Sequence, residues 1–254
     1  MSPRLRLTLF ALAQLCLLPA IWKIAQALPP FGMPTEVYGR SVDALGPPLR
    51  HISNMVSAVN FDIRGLDTVG EEYMLLCAVT GAVMLLRGIR GEDRSAKAGR
   101  LPERPLLGRA ESTVLIARIF APVILLFGLY MMLHATVTPG GGFQGGVVIA
   151  SGLMLVYLGE GYEAWRRLAP SRLFDAMEGG GSFLFLLCGL GSMAAGTAFM
   201  ANFLPFGSIK DVFSGGLIQI ENAGVGIAVT GGFGMLFLEF MEETRAIEPE
   251  DDRR

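Results

Sequence analysis

Six long apolar runs constrain the fold of this chain more than any other feature, because about 20 apolar helical residues are needed to cross the hydrocarbon core of a bilayer. Charged residues make up only 17% of the 254 residues, well below the roughly 25% of a soluble domain. The sequence therefore predicts an all-α integral membrane protein with about six transmembrane helices in a lipid bilayer. The runs are approximately residues 7–28, 69–86, 113–133, 143–158, 181–204 and 212–240.

The lysines and arginines of the predicted loops lie mostly on one side of the membrane. Fifteen fall in the two tails, in the loop after the second run and in the loop after the fourth, whereas the opposite loops hold four, namely Arg40, Arg50, Arg64 and Lys210. Because cytoplasmic loops are enriched in these residues, we expect both termini to be cytoplasmic. The net charge of −2 gives no reason to expect a nucleic-acid partner.

A basic, proline-containing stretch at residues 91–110 divides the chain, and we expect it to be a cytoplasmic linker. It separates a two-span segment, residues 1–90, from a four-span domain, residues 111–242, and a polar tail follows at residues 243–254. The two histidines and three widely separated cysteines predict neither a metal site nor a disulfide framework. No resident cofactor is expected.

The last apolar run contains three polar residues, Gln219, Glu221 and Asn222. If the helix begins near residue 212, Glu221 lies about 14 Å inside it, at 1.5 Å per residue. A charged side chain at such a depth costs roughly 2.5–3.5 kcal/mol on insertion scales, so a carboxylate that is kept there can carry a proton or bind Na⁺. The alternative is that Glu221 only forms a hydrogen bond across helices.

The second run begins with a group of acids, Asp67, Glu71 and Glu72. Thr68 and Glu71 have the spacing of a capping box, in which each side chain bonds the other's backbone amide. That structural role would account for Glu71 but not for Glu72. Since these acids lie near the outer ends of the spans, they can also gather cations before the cations enter the membrane.

Two titratable residues mark the third run, with Arg118 about one turn inside it and His134 at its end. Arg118 is close enough to the cytoplasmic face for its long side chain to reach the interface, or it forms a buried pair with an acid on a neighbouring helix or on another protein of the complex. His134 is either a hydrogen-bonded structural residue or part of a proton relay.

Glycines dominate the segment between the third and fourth runs, where each costs a helix about 1 kcal/mol against alanine. Because the fourth run is short, we expect this loop to be partly re-entrant, which is tolerated only where protein or a water-filled cavity covers the backbone. Broken helices of this kind form ion sites in transporters, and the alternative is a tight turn that lets another helix pack closely. The segment is Pro139, Gly140, Gly141, Gly142, Phe143, Gln144, Gly145 and Gly146.

The sequence Pro-Gly-Gly-Gly-Phe-Gln-Gly-Gly at 139–146 and the sequence Glu-Asn-Ala-Gly-Val-Gly at 221–226 resemble the MnhB/MrpB-like subunit of Mrp-type Na⁺/H⁺ antiporters. They equally resemble the matching subunit of membrane-bound hydrogenases, and the resemblance covers about residues 110–242. The sequence Asn-Phe-Asp-Ile-Arg-Gly-Leu-Asp-Thr-Val-Gly-Glu at 60–71 is similar to the C-terminal end of the large MrpA protein of the antiporters. The resemblance thus implies a fusion of an MrpA-like tail with an MnhB/MrpB-like domain.

This resemblance implies a non-enzymatic subunit of a multi-subunit Na⁺/H⁺ antiporter in a bacterial inner membrane, which transports Na⁺ and H⁺. It implies partner subunits of the same complex, including large ones related to the proton-pumping subunits of respiratory complex I. The ion path would involve Glu221, with Asp67 and Glu71 at the outer mouth and the 139–146 loop shaping the route.

Two other functions stay open. The same protein could serve a membrane-bound hydrogenase or a related redox complex, whose redox chemistry would belong to other subunits. Alternatively the chain is a purely structural scaffold, in which the acids only hold the complex together. An intramembrane enzyme is not expected, because the sequence has no paired His–Glu metal motif and no Ser–Lys or Ser–His constellation.

Overall fold

The computed structural model describes residues 3–28, 32, 37–89 and 110–246. The described residues are predominantly helical, and six of the helices are long and apolar enough to cross a membrane. The predicted all-α architecture with six spans is therefore confirmed for the described residues, and the chain is a multi-pass membrane protein. The helices are α1 (Pro3–Ala27), α2 (Val37–Arg50), α3 (Met55–Ala58), a π-helical turn (Val59–Ile63), α4 (Gly65–Ile89), α5 (Glu111–Leu133), α6 (Gly142–Glu160), α7 (Tyr162–Leu168), α8 (Ser171–Ala194) and α9 (Ile218–Ala246).

The chain divides into two compact units, Met1–Ser41 and Val42–Arg254. The first unit contains α1, whose span buries none of its residues. The second unit contains α3 to α9 and all of the residues that concern the site. The boundary falls within α2.

Helix α9 is the central helix of the second unit. Its span is 72% buried, against 17% to 39% for the four other spans of this unit. Contacts at matching heights show that α9 runs parallel to α6, since Gly142 faces Asn222 and Gly146 faces Val229. It runs antiparallel to α8, and α5 and α6 form an antiparallel hairpin beside it.

Glycines allow these helices to approach closely. A Cβ atom at Gly146 would lie 2.8 Å from the carbonyl oxygen of Gly226, and one at Gly142 would overlap the backbone of Asn222. On the other side of α9, a Cβ atom at Gly231 would overlap the backbone of Glu178. The glycine-rich motif that begins α6 is therefore a packing surface for α9.

Two apolar clusters form the core of the second unit. One lies at the end of the bundle where α3 and the loop 134–141 meet the start of α9, which we call the loop end. The other lies toward the opposite end, around α7 and the start of α8. The fully or almost fully buried large side chains are Ile52, Phe61, Phe185 and Ile218 in the first cluster and Trp165, Phe174, Met235 and Leu238 in the second.

The fifth span lies about ten residues earlier than the sequence predicts. The hydropathy pattern places it at residues 181–204, whereas α8 covers Ser171–Ala194. Its first turns contain Arg172, Asp175 and Glu178, which lower the local hydropathy, but Phe174 on the same turns is fully buried. Conversely, apolar residues that follow α8 belong to an irregular connection, in which Met200 packs into the loop-end cluster.

Candidate ion-binding site

A polar cavity of about 120 Å³ lies at the loop end, between α4, the π-helical turn, the start of α6 and α9. A cavity of this size accommodates several water molecules. It brings together acids from the second span, the glycine loop and an amide from the last span, which are far apart in sequence. Of the residues singled out in the sequence, it is lined by Glu71, Glu72, Gly140, Gly141, Gly142, Phe143, Gln144 and Asn222.

The two glutamates of α4 occupy different environments, because consecutive helical residues point in different directions. Glu72 is buried, with 3% of its surface exposed, whereas Glu71 is exposed. The predicted capping box is wrong, because α4 already begins at Gly65. The Thr68 hydroxyl instead donates a 2.7 Å hydrogen bond to the carbonyl oxygen of Asn60 and ties α4 to the π-helical turn.

Asp67 lines a second cavity of about 180 Å³, which shares Asn60, Thr68 and Glu71 with the first. Its carboxylate forms an ion pair with Arg64, and both side chains are well exposed. An exposed pair of this kind contributes little to stability. The two cavities place Asp67, Glu71 and Glu72 in order from the surface toward the interior of the bundle.

Glu221 lies in the first turn of α9 and is almost fully buried, with 1% of its surface exposed. Neither of its carboxylate oxygens has a hydrogen-bond partner within the part of the chain that the structure describes. Ile218 and Val225, one turn to either side, belong to the apolar cluster of the loop end. A carboxyl group in such surroundings is stable only as the neutral acid or with a cation beside it.

The surroundings of Glu221 contain two further titratable groups. Asp62 and Cys188 are both within electrostatic range of its carboxyl group, and Asp62 is held by an ion pair with Arg50. Glu221 itself does not line the cavity, but the next residue, Asn222, does. The buried acid therefore lies directly behind the cavity wall.

Gln219 and Asn222 have clear structural partners. The Gln219 amide donates to the carbonyl oxygen of Leu133 at 2.9 Å and caps the end of α5. The Asn222 side chain accepts from the backbone N–H of Gly142 at 2.9 Å, which caps the start of α6. The first turn of α9 thus holds both ends of the α5–α6 hairpin, and an ion contact of these two residues stays a prediction.

Asn54 is a residue of this region that the sequence did not single out. Its amide nitrogen lies 2.8 Å from the carbonyl oxygen of Ala135 and 3.0 Å from those of Thr138 and Gly140. Its side-chain oxygen accepts from Val56 N–H and caps α3. An asparagine before an apolar helical segment is an N-cap signal, but local sequence cannot indicate that the same side chain organises a loop far along the chain.

The glycine loop itself is covered by protein, because Ala135 and Thr136 are fully buried. His134 caps the end of α5, and its ring stacks on Tyr130 with 4.3 Å between centroids. Pro139 is exposed. The expectation that the loop is re-entrant in the bilayer stays a prediction.

The remaining predicted residues lie outside the cavity. Gly145 and Gly146 are buried in helix contacts, where a Cβ atom at Gly145 would lie 2.8 Å from the carbonyl oxygen of Gly128 on α5. Arg118 forms an ion pair with Glu160 of α6, and its side chain is 63% exposed. That pair therefore lies on the surface of this chain rather than inside it.

Two further acids, Glu178 and Glu239, are buried although the sequence pattern did not single them out. Glu178 escapes notice because hydropathy places the polar start of α8 outside the fifth span. The signal that could have identified it is the pattern of Phe174, Glu178, Gly181 and Phe185, which recur at helical spacing and all face the interior.

Comparisons with known proteins agree with this architecture. Residues 113–235 match the family model described as a domain related to the MnhB subunit of Na⁺/H⁺ antiporter. The corresponding B-type protein of the Na⁺/H⁺ antiporter of Bacillus subtilis is 36% identical over 80 residues, which are 32% of this chain and 55% of that protein. The alignment thus spans little more than half of that relative's length.

Two solved structures have the same fold over nearly the whole chain. A chain of the archaeal membrane-bound sulfane sulfur reductase, a respiratory membrane complex, is 30% identical, with a TM-score of 0.70 and coverage of 91% of this chain and 97% of that one. A chain of the Mrp complex from Dietzia sp. DQ12-45-1b is 22% identical, with a TM-score of 0.69. It matches 98% of this chain but only 27% of its own length.

The longer Dietzia chain contains a segment with the fold of this whole chain, which is consistent with a tail of one antiporter protein fused to an MnhB-type domain. The glycine loop, Glu221 and the central part of α9 all fall inside the matched residues 113–235. This chain is therefore a multi-pass membrane protein that carries, in residues 113–235, a domain of the MnhB-related family of Na⁺/H⁺ antiporter subunits.

Proposed function

We propose that this chain is a non-enzymatic membrane subunit of a multi-subunit Na⁺/H⁺ antiporter in a bacterial inner membrane, and that it contributes to the cation path. The observation that carries the proposal is Glu221, a buried carboxyl group without a hydrogen-bond partner in the described residues, directly behind an acid-lined cavity in a domain of an antiporter family. Buried ionisable groups in membrane helices mark ion pathways by default.

The acids of the loop end give this path a direction. Asp67 and Glu71 collect cations near the surface, Glu72 receives them inside the cavity, and Glu221 exchanges H⁺ and Na⁺ behind its wall. Carbonyl oxygens of the glycine loop beside the cavity can replace part of a cation's hydration shell. With both termini in the cytoplasm, as the positive charge distribution favours, the loop end faces the outside.

This chain alone lacks the size of a complete antiporter, and we propose that it works with other antiporter-type subunits, including large proton-translocating ones. The exposed apolar sides of α1 and α5 are compatible with contacts to lipid or to such partners. A scaffold role alone would leave the unpartnered carboxyl group of Glu221 without a purpose, although burial of that group costs free energy.

A second candidate has a specific observation in its favour. The match to a chain of an archaeal respiratory membrane complex covers almost the whole of both chains at 30% identity. In that case the same acids would couple ion movement to redox chemistry located in other subunits. Neighbouring genes distinguish the two, because a redox complex needs subunits for iron–sulfur clusters and an antiporter does not.

The test is Na⁺-induced proton efflux from everted vesicles of a host that lacks its own Na⁺/H⁺ antiporters and expresses the complete operon with or without this gene. We expect efflux to disappear without this chain and to return when the gene is supplied separately, while the other subunits remain assembled. Unchanged efflux in its absence would reduce the chain to an accessory and would shift the search to a redox complex.

A further inference from the structure

Glu178 on α8 is a second buried acid, and it lies away from the cavity of the loop end. It is 9% exposed, and its Oε1 atom has no hydrogen-bond partner among the described residues. A Cβ atom at Gly232 of α9 would lie 3.4 Å from Oε1 and 3.3 Å from Val79 of α4. The carboxyl group therefore enters the interface of α4, α8 and α9 at a position where α9 has no side chain.

The surroundings of this carboxyl group are apolar. Val79 and Phe174 belong to the second core cluster, and Trp165 and Met235 complete it nearby. Asp175 is within electrostatic range of Glu178, but it is exposed on the outer side of the same helix. A carboxyl group that projects into such a cluster is stable as the acid or beside a cation, as for Glu221.

The position of Glu178 continues a line of acids along α9. Glu221, Gly232 and Glu239 are separated by eleven and seven residues, and at 3.6 residues per turn these intervals keep all three on nearly one face of the helix. The level of Glu178 is thus about 16 Å from Glu221, and Glu239 is about 27 Å from it, at 1.5 Å per residue. Glu239 is itself 1% exposed.

An apolar block separates the two unpartnered acids. Phe185 of α8 and Val225 and Val229 of α9 lie at the heights between them, and all three are buried in the loop-end cluster. Direct proton transfer across such a distance is impossible without a chain of intermediate groups. Glu221 and Glu178 are therefore two separate stations, one on each side of this block.

We propose that Glu178 is a second cation-exchanging carboxylate of this protein, which holds a proton or a monovalent metal cation on the far side of the block formed by Phe185, Val225 and Val229. The inference rests on the proposed function, because it assigns the inner half of the same route. Gly232 leaves the space that a hydrated or partly hydrated ion needs beside the carboxylate.

The first arm of the test does not measure transport. Membranes with the complete complex are treated with dicyclohexylcarbodiimide, which modifies protonated carboxyl groups in apolar surroundings, and labelled peptides are identified by mass spectrometry. We expect an adduct at Glu178 and none at Glu111, an exposed acid at the start of α5. Protection by added Na⁺ would identify a metal cation as the ligand, whereas protection by high pH alone would identify a proton.

The second arm measures Na⁺-induced proton efflux in Glu178→Gln, with Glu111→Gln as the matched control. We expect a fall of about 100-fold in Glu178→Gln, the low end of what a positioned proton-transfer group contributes, and no change in the control. If Glu178→Gln does not assemble, Glu178→Asp keeps a carboxyl group and should assemble with residual efflux.

Absence of an adduct at Glu178, or a wild-type efflux rate in assembled Glu178→Gln, would overturn the proposal. Failure of the proposed function gives a different pattern, because the wild-type complex would then show no antiport at all. The labelling and its protection by Na⁺ or by pH would still decide whether Glu178 is an ion site.

Discussion

Replacement of Asn54 by alanine should loosen the whole loop end. The Ser57 hydroxyl donates to the carbonyl oxygen of Ala135 at 2.7 Å and keeps that group satisfied. The carbonyl groups of Thr138 and Gly140, however, lose the Asn54 amide, and α3 loses its N-cap. Two bonds at about 0.5–1.5 kcal/mol each and a cap of about 1 kcal/mol give a destabilisation of about 2–4 kcal/mol.

A thiol-labelling assay measures this destabilisation directly. Cys188 is buried, whereas Cys16 and Cys77 are exposed within this chain, so a background with both exposed cysteines changed to serine reports on Cys188 alone. If labelling of Cys188 requires opening of the bundle, a loss of about 2–4 kcal/mol raises its rate about 30- to 700-fold.

Asn60→Ala is the control for this experiment, because Asn60 is exposed and its backbone carbonyl, which binds Thr68, is retained. We expect it to label at close to the wild-type rate. Equal labelling rates for Asn54→Ala and Asn60→Ala would refute the reasoning that Asn54 organises the loop.

Two further predictions concern packing and use the same assay. Gly142→Ala should destabilise the protein by about 1–3 kcal/mol, because the added methyl group overlaps the backbone of Asn222, whereas Gly179→Ala, with open space around it, should be neutral or slightly stabilising, and a reversed order would contradict the assigned α6–α9 contact. Phe185→Ala should cost about 3–5 kcal/mol, since the ring is fully buried and packs edge-to-face on Phe61 with 6.0 Å between centroids; a cost below about 1 kcal/mol would show that the loop-end cluster is not packed as described.

The fold was predictable from the sequence to the extent that hydropathy determines it. Six spans are evident because each helix must present apolar residues to lipid or to its neighbours. The fifth span was displaced because Arg172, Asp175 and Glu178 lie within it, and hydropathy alone does not distinguish a polar residue inside a helix bundle from one in a loop. The same displacement concealed Glu178 as a candidate.

The candidate site was predictable in its residues but not in their roles. Glu221 and Asn222 are neighbours in sequence, yet one is a carboxyl group without a partner in the described part of the chain and the other holds the start of α6. Which of two adjacent polar residues finds a partner depends on the rotation of α9 against α6 and α8, which is set by tertiary packing. Asn54 acts on a loop distant in sequence, and no local pattern indicates such a contact.

The central claim is that Glu221 exchanges ions, and the most direct measurement is the initial rate of Na⁺-induced proton efflux in everted vesicles that contain the complete complex with Glu221→Gln. The substitution keeps the size of the side chain and removes the exchangeable charge. With assembly verified and Glu111→Gln as the control, the account predicts a fall of about 100-fold or more. A wild-type rate in the assembled Glu221→Gln complex would contradict it and leave the buried acid with a structural role.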